Sequence, residues 1–300
     1  MNRKLMKDVT KNPLFDKTVK WATKQHPEVA DHQVAEVLAY LDRYGYFEKS
    51  LGDMRKASVV KVEDALAEFQ GFFGLQQSGV VDQKTLRTMR QPRCGCPDIH
   101  RERHGSRAGN LPRWTKTDLT YHIRDYVRGV SNADQDRMFR EAFESWQAVC
   151  GITCKKAEVG TTPDIVMIVE RGRTAGFDGP SGILAYTYLP DGTDRQMLLH
   201  MDGDELWSTT ARGNGIYMRA VLSHELGHDF GLDHSREAGA LMAPTYNPAV
   251  SSPQAIDDIP RATARYGGPK TQDTPSTPSE NRRRTVTITY EGSEPSITSS

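Results

Sequence analysis

Apolar positions in the first third of the chain recur at helical spacing, whereas beyond about Leu119 strand-like stretches alternate with helical ones. In EVADHQVAEVLAYLDRYGYF, Val34, Val37, Leu38 and Leu41 fall on one stripe; in VEDALAEFQGFFGL, Ala65, Leu66, Phe69, Phe72 and Phe73 fall on another. Asp82 stands where it can cap a third, short helix, QKTLRTMR. These segments, within about Thr18 to Met89, predict a small helical domain. Further on, DLTYHIRDY alternates as a strand does. SNADQDRMFREAFESWQAV opens on Ser131 or Asn132 as a cap and carries Met138, Phe139, Ala142, Phe143 and Trp146 at helical spacing. PDIVMIVE has the β-branched, apolar pattern of a buried strand, and GILAYTYLP predicts another. The order strand, helix, strand, strand, helix makes this second part a mixed α+β domain. Past Gly268 the chain turns to Pro, Ser and Thr and is expected to be disordered, its NRRR run a solvated basic cluster.

Composition narrows the partners. Three hundred residues, 37% of them hydrophobic, suffice for one sizeable core and a smaller second domain. Basic and acidic residues balance at 39 each, so no overall field favours nucleic acid or an anionic membrane. No apolar run approaches the roughly 18 residues that cross a bilayer, and the basic start MNRKLMKDVTKNPLFDKTVKW lacks the apolar core of a leader. Neither is there an Asn-x-Ser/Thr sequon, so the compartment stays open. The four cysteines, at 94, 96, 150 and 154, are too few and too clustered for a disulfide framework.

The chemistry concentrates in AVLSHELGHDFGLDHS, residues 220–235. On a helix, His224 and His228 share a face and can reach one metal. Gly231 can take a left-handed conformation that ends the helix and lets His234 swing in as a third nitrogen ligand. Three neutral nitrogens suit zinc, and three protein ligands leave the fourth position open, as a catalytic site requires. Glu225 is placed to take a proton from water there and pass it to a leaving amine, the chemistry of a peptide-bond hydrolase. His224, Glu225, His228, Gly231 and His234 fit the extended H-E-x-x-H-x-x-G-x-x-H pattern, and Met242 in ALMAPTY stands at its methionine turn, a packing rather than a ligating role.

With these motifs in order, the chain resembles the matrixins, the matrix metalloproteinases, over about Val34 to Gly267. The resemblance also rests on YLDRYGYF, PRCGCPD, PDIVMI, FDGPSGILAY and HMDGDELW. It implies an α+β fold: a metzincin, zincin-like catalytic domain with a twisted mixed sheet and long helices, preceded by a small helical pro-domain like peptidoglycan-binding modules. The expected divisions are 1–98 for the pro-domain ending in its cysteine loop, 99–112 for an activation linker, 113–268 for the catalytic domain and 269–300 for the tail. By resemblance, Cys94 places its sulfur on the zinc and keeps a precursor inactive, with Arg93 and Asp98 pairing to shape the loop. Cys96 stands where the family has an aliphatic residue. Its side chain is expected to point opposite to that of Cys94, as a passive substitution rather than a second switch thiol.

Further expectations follow from the resemblance. FDGPSG with HMDGDE resembles a calcium-binding loop, with side chains of Asp178, Asp202 and Glu205 and carbonyls of Gly179, Ser181 and Ile183 as ligands. The family's second zinc is not expected: Arg171–Arg173 and Tyr186 stand where histidines are needed, leaving His200 alone, so one zinc per chain is predicted. GILAYTYLP resembles the family's edge strand, which an extended peptide joins through backbone hydrogen bonds. Ala220 and Pro244–Tyr246 border the pocket beside the zinc, and the small Ala220 suggests a deep one. Cys150 and Cys154 leave both a local disulfide and buried free thiols open. Activation requires an external protease, with Arg101, Arg103 and Arg107 in IHRERHGSRAGNLPRW as candidate cleavage sites. The implied protein is a secreted monomer acting on protein or peptide substrates. The family's four-bladed propeller is not present in this sequence, so exosite binding to large matrix proteins is not expected. The alternative is a metalloprotease that binds cell-wall peptidoglycan through its helical domain.

Overall fold

The computed structural model describes residues 10–11, 13–25, 29–48, 59–100, 112–172 and 175–270. Among the described residues, the N-terminal part has the helices α1 (Pro13–Gln25), α2 (Asp31–Arg43), α3 (Val59–Phe72) and α4 (Gln83–Met89). α2 buries Val34, Val37, Leu38 and Leu41, the stripe its periodicity marks. α4 starts at Asp82, whose carboxylate accepts the Thr85 N–H at 2.7 Å, as the capping pattern predicts. The buried amide of Gln70 on α3 accepts from Gly79 N and donates to Val80 O and Thr85 Oγ1, which fixes the turn leading into α4. Helix α1 begins five residues ahead of the helical region expected from Thr18, because Leu14 packs into the same core as Leu38 and Phe69.

The second part has its own core. Strands β1 (Arg93–Cys94), β2 (Asp118–Ile123), β3 (Thr153–Lys156), β4 (Ile165–Glu170), β5 (Ile183–Tyr186) and β6 (Met197–Asp202) form one sheet in the order β1-β5-β6-β4-β2-β3. β5 and β6 run antiparallel and the other pairs parallel, so the sheet is mixed as expected. Short strands β7 (Trp207–Ser208) and β8 (Ile216–Tyr217) pair separately. Helices α5 (Asn132–Gln147), α6 (Met218–Asp229) and α7 (Asp258–Tyr266) complete it. Ser131 caps α5 by accepting the Asp134 N–H, and Trp146 on α5 donates its indole N–H to Ser223 O at 2.8 Å, tying α5 to α6. Phe143, Trp146, Phe230 and Met242 belong to the core beneath α6.

Strand β6 was not among the sequence expectations. Its run MLLHMD hides a histidine in an apolar stretch, and His200 is accommodated by stacking on Tyr186, ring centroids 4.3 Å apart, and by pairing with Glu170 at 2.6 Å. The strand expected to form the sheet edge, β5, is covered on its outer side by β1. Among the described residues no helix is long and apolar enough to cross a membrane. The Pro/Ser/Thr-rich tail and the arginines at 101, 103 and 107 lie outside the described residues.

Candidate active site

Helix α6 is buried on every side. Ala220, Val221, Leu222 and Leu226 bring His224, Glu225 and His228 into the interior with them. The helix stops at Gly231, where φ is +84°: Gly231 N bonds His228 O at 2.7 Å and Leu232 N bonds Gly227 O at 2.9 Å. The chain then turns back and delivers His234. Nitrogens of His224, His228 and His234 and the sulfur of Cys94 all lie within 4.8 Å of one another.

Each imidazole is oriented through its Nδ1. That of His224 meets Leu241 O, that of His228 meets Leu232 O, both at 2.7 Å, and that of His234 meets Asp98 Oδ1 at 2.8 Å. These acceptors place the proton on Nδ1 and leave Nε2 as the free donor atom. Nε2 of His224 and of His234 is buried without a partner. Burial lowers all three histidines, His224 to about 3, so the rings are neutral, the form that binds metal. Orphaned, neutral, convergent nitrogens beside a thiol fit a zinc ion.

Glu225 sits in the same chamber with both carboxylate oxygens buried and unpartnered, and burial raises its pKa well above the usual carboxylate range. Below, Met242 packs against the helix where Gly227 has no side chain; a Cβ there would overlap the Met242 sulfur and stand 2.9 Å from the Trp146 ring. Asp258 holds the methionine turn by accepting the N–H groups of Leu241, Met242 and Gln254 at 2.7–3.0 Å. Neither Asp258 nor the acceptor role of Asp98 on His234 was anticipated; acidic side chains carry no local sign of contacts made 16 and 136 residues away.

The cysteine loop is bonded on both flanks. Arg93 N donates to Gly182 O and Gly95 N to Ala185 O on the β5 side, while Cys94 N donates to Pro244 O and Tyr246 N to Pro92 O on the other. The expected Arg93–Asp98 pair is present, at 2.5 Å, with both side chains almost wholly buried. Arg93 also donates to Tyr40 Oη and lies 3.6 Å from the Tyr44 ring centroid, and Tyr46 Oη donates to Asp98 Oδ2. Although burial alone would raise Asp98, Arg93 and His234 outweigh it and hold the carboxyl at about 2. The tyrosines come from the pro-domain core, a role their aromatic spacing does not announce.

The expected orientation of Cys96 is wrong. Residues two apart in an extended segment share a face, and this loop bends at Gly95 and Cys96. Its sulfur lies within 4.8 Å of Cys94 Sγ, a Glu225 oxygen and a His228 nitrogen, and donates to Thr187 O at 3.1 Å. Cys150 and Cys154 are free thiols, Cys150 donating to Trp146 O.

In the acidic loop, Asp178 Oδ1 accepts the Ile183 N–H, Glu205 Oε1 accepts the Ser181 N–H, and Asp202 Oδ2 is buried without a partner. Burial and neighbouring carboxylates push Asp202 up to about 6 and Glu205 to about 7, the strain of gathered negative charge that a calcium ion would relieve. Gly179 and Ser181 both have positive φ in the turn that carries the expected carbonyl ligands. Arg171 of the absent histidine pattern pairs with Asp204, and Arg173 lies outside the described residues.

Ala220, Pro244 and Tyr246 line one cavity with His224, Glu225 and Cys94, of about 30 Å³ with the cysteine loop seated in it. Tyr246 Oη accepts the Tyr217 N–H at 2.7 Å and fixes one wall.

Residues 31–89 match the peptidoglycan binding domain family and residues 113–267 match the matrixin family. The interstitial collagenase of Oryctolagus cuniculus is 38% identical over 80% of this chain and 51% of its own length. That of Sus scrofa is 38% identical over 84% and 53%, and the neutrophil collagenase of Homo sapiens 34% over 79% and 50%. The chain thus spans about half the length of the curated relatives it matches. The matrixin match takes in just over half of the chain's residues, and the chain belongs to the matrixin family.

Proposed function

We propose that the protein is a zinc metalloendopeptidase made as a latent precursor. The observation that carries this reading is the convergence of three neutral imidazoles and one sulfur within 4.8 Å, beside an unpartnered carboxylate. Zinc held by His224, His228 and His234 would supply Lewis-acid polarisation of a peptide carbonyl. Glu225 takes the proton of the attacking water and returns it to the leaving amine; its burial raises its basicity towards that task. Strand β5 binds the extended substrate as an added strand, and Ala220, Pro244 and Tyr246 border the side-chain pocket next to the scissile bond. In the precursor, the Cys94 sulfur would be a fourth ligand beside the three imidazoles, and β1 takes the substrate's place on β5.

The remaining parts of the reading are the pro-domain over 1–98, the linker at 99–112 cut by another protease, the catalytic domain over 113–268, and one zinc per chain. Calcium would be held by Asp178, Asp202 and Glu205 with carbonyls of Gly179, Ser181 and Ile183. The protein acts outside the cell as a monomer on protein substrates, collagen being a candidate from the relatives' names. The match of residues 31–89 keeps cell-wall binding as a second reading, against which stands the engagement of the pro-domain's Tyr40, Tyr44 and Tyr46 with the cysteine loop.

The test compares full-length protein with protein cut within 99–112, on a peptide library, with and without a zinc chelator. Chelator-sensitive cleavage by the cut form alone supports the proposal; activity that survives metal removal sinks it. A pull-down with insoluble peptidoglycan decides the second reading.

A further inference from the structure

Latency by Cys94 gives no task to the second sulfur in the same chamber. Cys94 and Cys96 are separated only by Gly95, their sulfurs are within 4.8 Å of each other, and both residues are buried. The Cys96 N–H points at Cys94 Sγ at 3.3 Å, so the backbone is already curled around the first sulfur. A disulfide needs Cα atoms roughly 4.4–6.8 Å apart and sulfurs at about 2.05 Å. A bend at Gly95 and Cys96 brings two residues of a pair closer than an extended chain would, and rotation about each Cα–Cβ bond moves the sulfurs towards one another. The Cys96 thiol donates to Thr187 O, a weak bond that little opposes that rotation.

We infer that Cys94 and Cys96 form a redox pair, a modification site at which a low-molecular-weight disulfide oxidises the latent protein and unplugs its metal centre. This rests on the proposed role of Cys94 as the plug. The Cys96 thiolate attacks one sulfur of the small disulfide and expels one small thiol; the Cys94 thiolate then attacks the mixed disulfide at Cys96 and expels the second. Two cysteine thiols and one small disulfide become one Cys94–Cys96 disulfide and two small thiols, the cysteine protons ending on the expelled thiols. In the disulfide, Cys94 no longer offers a thiolate. Because both sulfurs are buried in the seated loop, oxidation captures the loop when it lifts, and the product cannot reseat as a ligand. Cleavage of the linker and oxidation of this pair are then two separate routes to an open site.

The test uses full-length protein equilibrated in buffers of increasing glutathione disulfide, followed by alkylation, digestion and mass analysis of the peptide spanning residues 93–98. Zinc transfer to a chromogenic chelator is followed in parallel. The expected result is loss of both alkylatable thiols at 94 and 96, a peptide lighter by two hydrogens, and reversal by a dithiol reductant. Zinc transfer should quicken by at least the 10–100-fold seen when an outer partner of a ligand is lost. Cys96→Ser should abolish the crosslink, leaving Cys94 alkylatable or carrying glutathione. The inference is overturned if wild-type protein yields only a glutathione adduct on Cys94, if either cysteine pairs with Cys150 or Cys154, or if both stay reduced while the loop is alkylatable. If the crosslink forms and zinc transfer does not change, the pair stands and the plug reading fails.

Discussion

The three imidazoles are oriented by two different parts of the chain. His224 and His228 lean on carbonyls of Leu241 and Leu232, which belong to the catalytic domain itself. His234 leans on Asp98, which arrives with the cysteine loop. The permanent half is built on backbone that every state of the domain keeps. The borrowed half is a buried ion pair, Arg93 with Asp98, surrounded by pro-domain tyrosines. The loop therefore brings two things to the centre, a sulfur and an orienting carboxylate, and under the proposed activation both would leave with it.

Variants can break either half alone. Glu225→Gln strikes the permanent half: it keeps all three ligands and should lower peptide hydrolysis by the processed protein by about 10²–10⁴-fold, with zinc content unchanged by metal analysis. Arg93→Ala strikes the borrowed half, removing the guanidinium from a buried carboxylate that then keeps only His234 and Tyr46, at a cost of about 3–5 kcal/mol. Full-length protein carrying it should cleave peptide without processing, while the processed form behaves as wild type. Gly227→Ala acts beneath the permanent half, where the new Cβ meets Met242 and Trp146; overpacking of about 1–3 kcal/mol should lower the thermal midpoint of the processed domain. Asp82→Ala removes the cap of α4, the helix just ahead of the loop, and should cost about 1 kcal/mol in full-length protein. If it releases activity as fully as Arg93→Ala does, the division between the halves is drawn in the wrong place.

What could be read from the sequence tracks how local the information is. The stripe on α2, the caps at Asp82 and Ser131 and the spacing of His224, His228 and His234 are each set within a few turns of chain, and each recurs in the structure as expected. Strand β1 is two residues long and exists only because β5 lies beside it, so no periodicity marks it. The service of Asp98 to His234 and the inward turn of Cys96 also depend on partners from distant segments. The wall that Tyr246 makes through its bond to Tyr217 likewise joins positions 29 residues apart.

If the proposed processing removes β1, the covering of β5 is lost with it. Once β1 departs, the carbonyls of Gly182 and Ala185 that it engaged face solvent along a bare margin of the sheet. Groups proposed to receive a substrate would receive any extended chain, a sister molecule's included. The mature protein should therefore be more adhesive than its storage form, with self-digestion and clumping rising with concentration as soon as the cap is gone.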